Sequence, residues 1–169
     1  MRRAYIDTNV FVKFLLDTNH KYHIHCKKFF TDIEMQKIIG ITSSFTKTEY
    51  LAVMKELVAK KTGRIASQAE TNDAMRIFDE FIINMGIEYF DSDDLIVGID
   101  GFFSSCHIRV DFANPVQGND RKWRGLGGAD SIVLLMAESC SSEYIATNDD
   151  GFRQISSAVK PLLIKDEYT

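Results

Sequence analysis

Short apolar runs of strand length alternate with helical stretches along most of this 169-residue chain. That alternation restricts the fold more than any other feature of the sequence. Arg3-Ala4-Tyr5-Ile6 is an apolar run that stops at Asp7, as a buried strand stops at a turn. Val10 to Leu16 then reads as a short helix, with Asp7, Thr8 or Asn9 available to cap it. His20 to Met35 predicts a second helix with Cys26, Phe29, Phe30 and Ile33 on its apolar side. Lys37 to Thr42 is a second strand of β-branched residues. Ser43 and Ser44 are placed to cap a helix from about Phe45 to Lys61, whose stripe is Leu51, Val53, Met54, Leu57 and Val58. Beyond Gly63 another helix runs from Ser67 to Met85, carrying Met75, Phe78, Phe81 and Ile82, and Gly86 closes it. Ile87 to Phe90 is a third strand and Asp91 to Cys106 a capped helix. Ala129 to Ser139 is a further helix, with strands at Glu143 to Ala146 and Leu162 to Ile164.

Strands that alternate with helices imply an α/β fold whose central, mostly parallel sheet of about four to five strands is covered on both faces. The length suits a single domain, 1–169. Periodicity fails between about 107 and 128, where Asn114-Pro115, Gly118-Asn119 and Gly127-Gly128 predict a long irregular insertion of the kind that carries function. In parallel sheets, ligands collect beyond the carboxyl ends of the strands.

Composition excludes several classes. Twelve Phe and six Tyr with ordinary charge content are incompatible with disorder. No apolar run is long enough to cross a bilayer, and the opening residues do not read as a signal peptide, since Asp7 interrupts them. Cys26, Cys106 and Cys140 form no Cys-x-x-Cys pair and read as reduced thiols of a cytoplasmic protein. Twenty Lys plus Arg against 24 Asp plus Glu leave a net charge of −4. A protein of that charge grips a polyanion only through a local basic patch or bridging cations.

Four acids fall at the edge where function is expected. Asp7 ends the first strand, Asp149 follows the fourth, and Glu49 and Asp130 sit in the first turns of their helices. Taken singly, each is explained by the helix dipole or by turn chemistry. Four carboxylates gathered at one edge repel one another and need a counter-cation. Hard oxygen donors in small number suit Mg²⁺ or Mn²⁺.

These residues carry a family resemblance. Tyr5-Ile6-Asp7-Thr8-Asn9-Val10 resembles the opening of a PIN domain, and Thr48-Glu49-Tyr50-Leu51 its mid-chain Glu at a helix start. Gly128-Ala129-Asp130-Ser131-Ile132-Val133 and Thr147-Asn148-Asp149-Asp150-Gly151-Phe152 are similar to its two later acidic motifs. The resemblance runs from Met1 to about Leu163. It implies a three-layer α/β/α fold and a metal-dependent ribonuclease, often the VapC-like toxin of a type II toxin–antitoxin pair. Asp7, Asp130 and Asp149 would hold one or two Mg²⁺ or Mn²⁺ ions, with Glu49 completing the ring as a further catalytic ligand. A small antitoxin partner and a homodimer are family expectations. The segment from about Gly98 to Gly128 is longer than in a compact toxin.

Asn9 and Thr147 are placed to hydrogen-bond these ligands, and Asp150 is the alternative to Asp149. Arg121-Lys122-Trp123-Arg124 is the one dense basic stretch and could grip a phosphate backbone while Trp123 stacks on a base. His20 and His23 lack a downstream Cys/His pair at zinc spacing, and Gly125 to Gly128 lacks the Lys-Ser/Thr of a P-loop. Rival readings are an aspartate-nucleophile phosphatase built on Asp7, and a PIN-like module that binds RNA or protein without cutting. The first lacks an acid two residues after Asp7, where Asn9 stands.

Overall fold

A computed structural model describes residues 1–90, 116–117, 123–124, 128–154 and 157–169. Five parallel strands form the central sheet: β1 (Arg2–Ile6), β2 (Ile38–Ser43), β3 (Glu88–Phe90), β6 (Tyr144–Thr147) and β7 (Lys160–Leu163). Their spatial order is β3-β2-β1-β6-β7. Ala4 pairs with Gly40 on one side and with Tyr144 on the other, so β1 is the central strand. Its residues Ala4, Tyr5 and Ile6 are completely buried, which is why its short apolar run carries no polar alternation.

The chain winds outward from β1 to β2 and β3, then returns to add β6 and β7 on the opposite side of β1. The direction of winding therefore reverses between β1 and β6. Crossover connections diverge at such a point and leave a crevice beyond the strand ends. Asp7 and Asn148 directly follow those two strands.

Helices cover both faces. On one side Ile6 packs with Phe11, Phe29, Phe30, Tyr50 and Phe78, drawn from α1 (Thr8–Phe11), α2 (His23–Glu34), α3 (Ser44–Thr62) and α4 (Gln68–Asn84). The Phe11 ring lies 5.0 Å from Phe78 and 5.6 Å from Phe30, tilted as aromatic quadrupoles prefer. On the other side Tyr5, Ile41 and Ile145 pack against Val133, Leu134 and Met136 of α5 (Gly128–Ser139). Alternation along β1 explains the division, since Ala4 and Ile6 share one face and Tyr5 points to the other. Burying the Tyr5 hydroxyl is made tolerable by Ser43 Oγ at 2.6 Å and Thr46 Oγ1 at 2.8 Å. Gly40 is needed for close packing, because a Cβ there would stand 2.8 Å from Ile33 Cδ1 and 3.0 Å from Ile6 Cδ1.

Several elements differ from the sequence expectations. The helix expected from Val10 begins at Thr8 and becomes a π-turn over Val12–Leu16, closed by Asp17 N–H donating to the Val12 carbonyl at 2.9 Å. Helix α2 starts at His23 rather than His20, because His20 Nδ1 accepts the Tyr22 amide at 3.1 Å and holds a separate turn. The buried line of α3 is Thr46, Tyr50 and Met54, not the full Leu51–Val58 stripe. Leu51, Val53, Leu57 and Val58 are half-buried. The stretch expected to be irregular from 107 to 128 contains paired antiparallel strands, β4 (Val116–Gln117) and β5 (Trp123–Arg124). The expected helix from Asp91 to Cys106 lies outside the described residues. Helix α4 matches closely, with a Ser67–Glu70 capping box and Gly86 at φ +62° just beyond its end. Among the described residues no helix is long and apolar enough to cross a membrane.

Candidate active site

Asp7 occupies the position just before α1, where a side chain normally caps the helix, yet it makes no capping hydrogen bond. Ser43 and Ser67 do cap their helices. The Asp7 backbone is fixed instead, its N–H donating to the Ala146 carbonyl and its own carbonyl accepting the Val10 amide, each at 3.0 Å. This frees the carboxylate for the crevice between β1 and β6.

There Thr147 Oγ1 donates to Asp7 Oδ2 at 2.6 Å. The same hydroxyl accepts Asn9 Nδ2 at 2.9 Å and the Asp149 amide at 3.0 Å, so its single proton and both lone pairs are used. Asn9 Nδ2 also donates to Asp7 Oδ2, and Asn9 Oδ1 accepts the Asn148 amide at 2.9 Å. Asn9 and Thr147 thus tie the end of β1 to the segment after β6. One oxygen of Asp7 is held rigidly by two neutral donors.

Asp7, Glu49, Asp130 and Asp149 line one cavity of about 310 Å³ together with Thr8, Asn9 and Lys13. Val12 and Val53 form its apolar wall. Glu49 reaches it from the first turns of α3, where Thr8 Oγ1 donates to its Oε2 at 2.7 Å. Asp130 comes from the start of α5, and Asp149 from the turn after β6, where its Oδ1 accepts the Gly151 amide at 2.7 Å. Four acids far apart in sequence therefore converge on one opening.

The electrostatics follow from burial and crowding. Asp7 is only 6% exposed, and its carboxyl is pushed up to about 7, chiefly by desolvation. The Thr147 hydrogen bond opposes this, while Asp130, Glu49 and Asp149 add repulsion. Glu49 is raised too, first by burial and then by Asp130, against the Thr8 hydrogen bond. Among the described residues no three acids, histidines or cysteines form a ready-made metal cage. The donor set of hard oxygens around an open cavity instead suits a divalent ion held by one or two carboxylates that keeps much of its water.

Asp150 turns away from the acids. It bonds Arg153 Nε at 2.7 Å and Lys165 Nζ at 2.5 Å, and these cations hold its carboxyl below the usual range. Arg121 and Lys122 lie outside the described residues, as do the side chains of Trp123 and Arg124. The two histidines considered for zinc have structural partners: His23 stacks on Phe14 at 5.5 Å, and its Nδ1 lies 3.0 Å from the Lys13 carbonyl.

Lys13 has no counterpart in the sequence-derived site. It lines the acidic cavity and an adjoining one of about 270 Å³ formed with Asn9, Asn148, Asp149 and Asp150. Burial lowers its pKa, opposed in part by Asp7 and Asp149. A lysine inside an apolar heptad gives no sequence signal. It stands four residues after Asn9, on the same face, and the two line both cavities together.

A search of curated protein sequences gives no match. Among solved structures, the chain is similar to the Mycobacterium tuberculosis toxin VapC20, described as cleaving the sarcin–ricin loop. The identity is 12%, the TM-score 0.49, and the match covers 84% of this chain and 86% of that one. The family model of the PIN domain matches residues 4–158, nearly the whole length and all four acidic motifs, and the chain belongs to the PIN-domain family.

Proposed function

We propose that the protein is a metal-dependent endoribonuclease that hydrolyses RNA phosphodiester bonds. The observation that carries this reading is the buried Asp7 carboxylate, held by Thr147 and Asn9, facing Glu49, Asp130 and Asp149 across one cavity. Such a repulsive cluster is relieved by a proton or by a bound cation, and a divalent cation relieves all four acids at once.

Asp7, Asp130, Asp149 and Glu49 are the residues that would hold Mg²⁺ or Mn²⁺, directly or through water. Bound there, the ion supplies an acidified water and neutralises charge on the phosphoryl oxygens. Thr147 and Asn9 fix the direction of the Asp7 carboxylate, and Thr8 fixes Glu49. Glu49 would complete the ring of ligands and orient the attacking water. Asp149 is the ligand rather than Asp150, whose carboxylate is already satisfied by Arg153 and Lys165. The acidic pocket repels the phosphate to be cut until cations load it. In this reading the chain acts in the cytoplasm as a homodimeric toxin, paired with a small antitoxin that covers the acidic opening. In the same reading Arg121, Lys122, Trp123 and Arg124 supply further RNA contacts.

The test is cleavage of a mixed-sequence RNA by purified protein with Mn²⁺ or with EDTA, beside an Asp130→Asn variant of unchanged circular dichroism. Cleavage is expected only with Mn²⁺, and Asp130→Asn should lower it by at least a hundredfold. Cleavage that persists in EDTA, or in Asp130→Asn at full rate, overturns the reading. Turnover of a small phosphate ester with RNA left intact would favour a phosphatase.

A further inference from the structure

Beside the acidic cavity the charge reverses. The Tyr22 ring has Lys21 Nζ at 4.7 Å, Lys13 Nζ at 5.4 Å and Lys165 Nζ at 6.0 Å from its centroid. Three ammonium groups from separate parts of the chain thus gather on one aromatic side chain, whose negative faces attract them. His20 adds a fourth basic group, its ring 5.3 Å from that of Tyr22. Among the described residues the carboxylate bonded within this group is Asp150, on Lys165. With Asp150 neutralising Lys165, the group still carries a net positive charge, which favours a further anion beside it.

The location gives that anion an identity. Lys13 lines the carboxylate cavity and also the adjoining cavity bounded by Asn148, Asp149 and Asp150. Asp150 in turn bonds Lys165. A continuous path therefore runs from the acids through Lys13 to the lysine cluster. We propose that Lys13, Lys21 and Lys165, organised by Tyr22, bind the RNA backbone phosphate that neighbours the one being cut. Tyr22 is a positioning residue, holding the three lysines together without touching the reacting atoms. The inference rests on the ribonuclease reading and goes beyond it, since it sets the direction in which the strand leaves the acids.

Two measurements test it. The first is binding of a fluorescent single-stranded RNA in EDTA, read as affinity against salt. Lys21→Ala/Lys165→Ala should weaken binding about tenfold or more at low salt and reduce the log–log salt slope by one to two. Tyr22→Leu should also weaken binding, and Tyr22→Phe should restore it because the ring is kept. The second is Mn²⁺-dependent cleavage of RNAs carrying one neutral methylphosphonate at successive positions around the cut. Wild type should lose about tenfold in kcat/KM at one neighbouring position, and the double lysine variant should lose nothing further there. Unchanged affinity and slope, or an undiminished position effect in the double variant, overturns the subsite while leaving the nuclease standing. Wild-type protein that binds RNA through these lysines but never cuts it would instead overturn the nuclease reading.

Discussion

Asp7→Asn is expected to abolish Mn²⁺-dependent cleavage, by a thousandfold or more, and at the same time to stabilise the protein in EDTA above pH 7. Both effects have one cause. The carboxylate is buried, desolvated and surrounded by Asp130, Glu49 and Asp149, so its charge is unfavourable until a cation arrives. The sign of the pH dependence follows. Burial raises the Asp7 pKa to about 7, well above an unfolded aspartate, so between about pH 4 and 7 the folded chain carries more protons than the unfolded one. Its contribution is therefore greatest at low pH and is lost as pH rises through that window. The asparagine is neutral throughout and removes a penalty of about 2–4 kcal/mol at pH 8. Its amide adds a donor near Asn9 Nδ2 that returns a fraction of this gain. Urea titrations of both proteins in EDTA at pH 5 and pH 8 check it: the variant's advantage should fall to about a third between pH 8 and pH 5. A variant less stable than wild type at pH 8 would mean that Asp7 is structural.

Thr147→Val should have the opposite sign in stability and the same sign in activity. The hydroxyl is fully buried and occupies three hydrogen bonds, to Asp7, Asn9 and the Asp149 amide. Valine keeps the volume and the β-branch that suits β6, but leaves those groups without their partner. The loss expected is about 2–4 kcal/mol, partly offset because Asp7 shifts further toward its neutral form. Cleavage should fall 10- to 100-fold, as when a group supporting a metal ligand is removed. Thr147→Ser, which keeps the hydroxyl, should recover most of both. Denaturant melts and Mn²⁺ dependence of the rate separate the two effects, since loss of ligand positioning raises the Mn²⁺ needed for half-maximal rate.

The parallel sheet was legible because its central strands are buried on both faces and so appear as unbroken apolar runs, Ala4 to Ile6 above all. Asp7 was legible for a related reason, since a polar residue that ends such a run lies at the carboxyl edge of the sheet, and Thr147 from its place two residues before Asp149. Convergence of Glu49 and Asp130 on that edge followed from the fold, with the family motifs adding their order. The features that are not legible depend on local turns and on contacts between distant parts of the chain. Lys13 stands amid an apolar run and joins the cavity only through its neighbour Asn9, and the start of α2 moves because the His20 ring binds the Tyr22 amide. The lysine cluster on Tyr22 joins residues 13, 21 and 165, which no periodicity connects. The α3 stripe misled because that helix buries a threonine and a tyrosine in addition to Met54, with Thr46 serving the Tyr5 hydroxyl.

Calorimetric titration of Mn²⁺ into the metal-free protein at pH 7.5 or so tests the central claim, that four separated acids jointly hold a divalent ion. Saturable binding is expected in wild type, weakened at least tenfold in Asp7→Asn and again in Asp130→Asn, with Asp150→Asn unchanged. Equal Mn²⁺ affinity in wild type and Asp7→Asn, both folded, would contradict it.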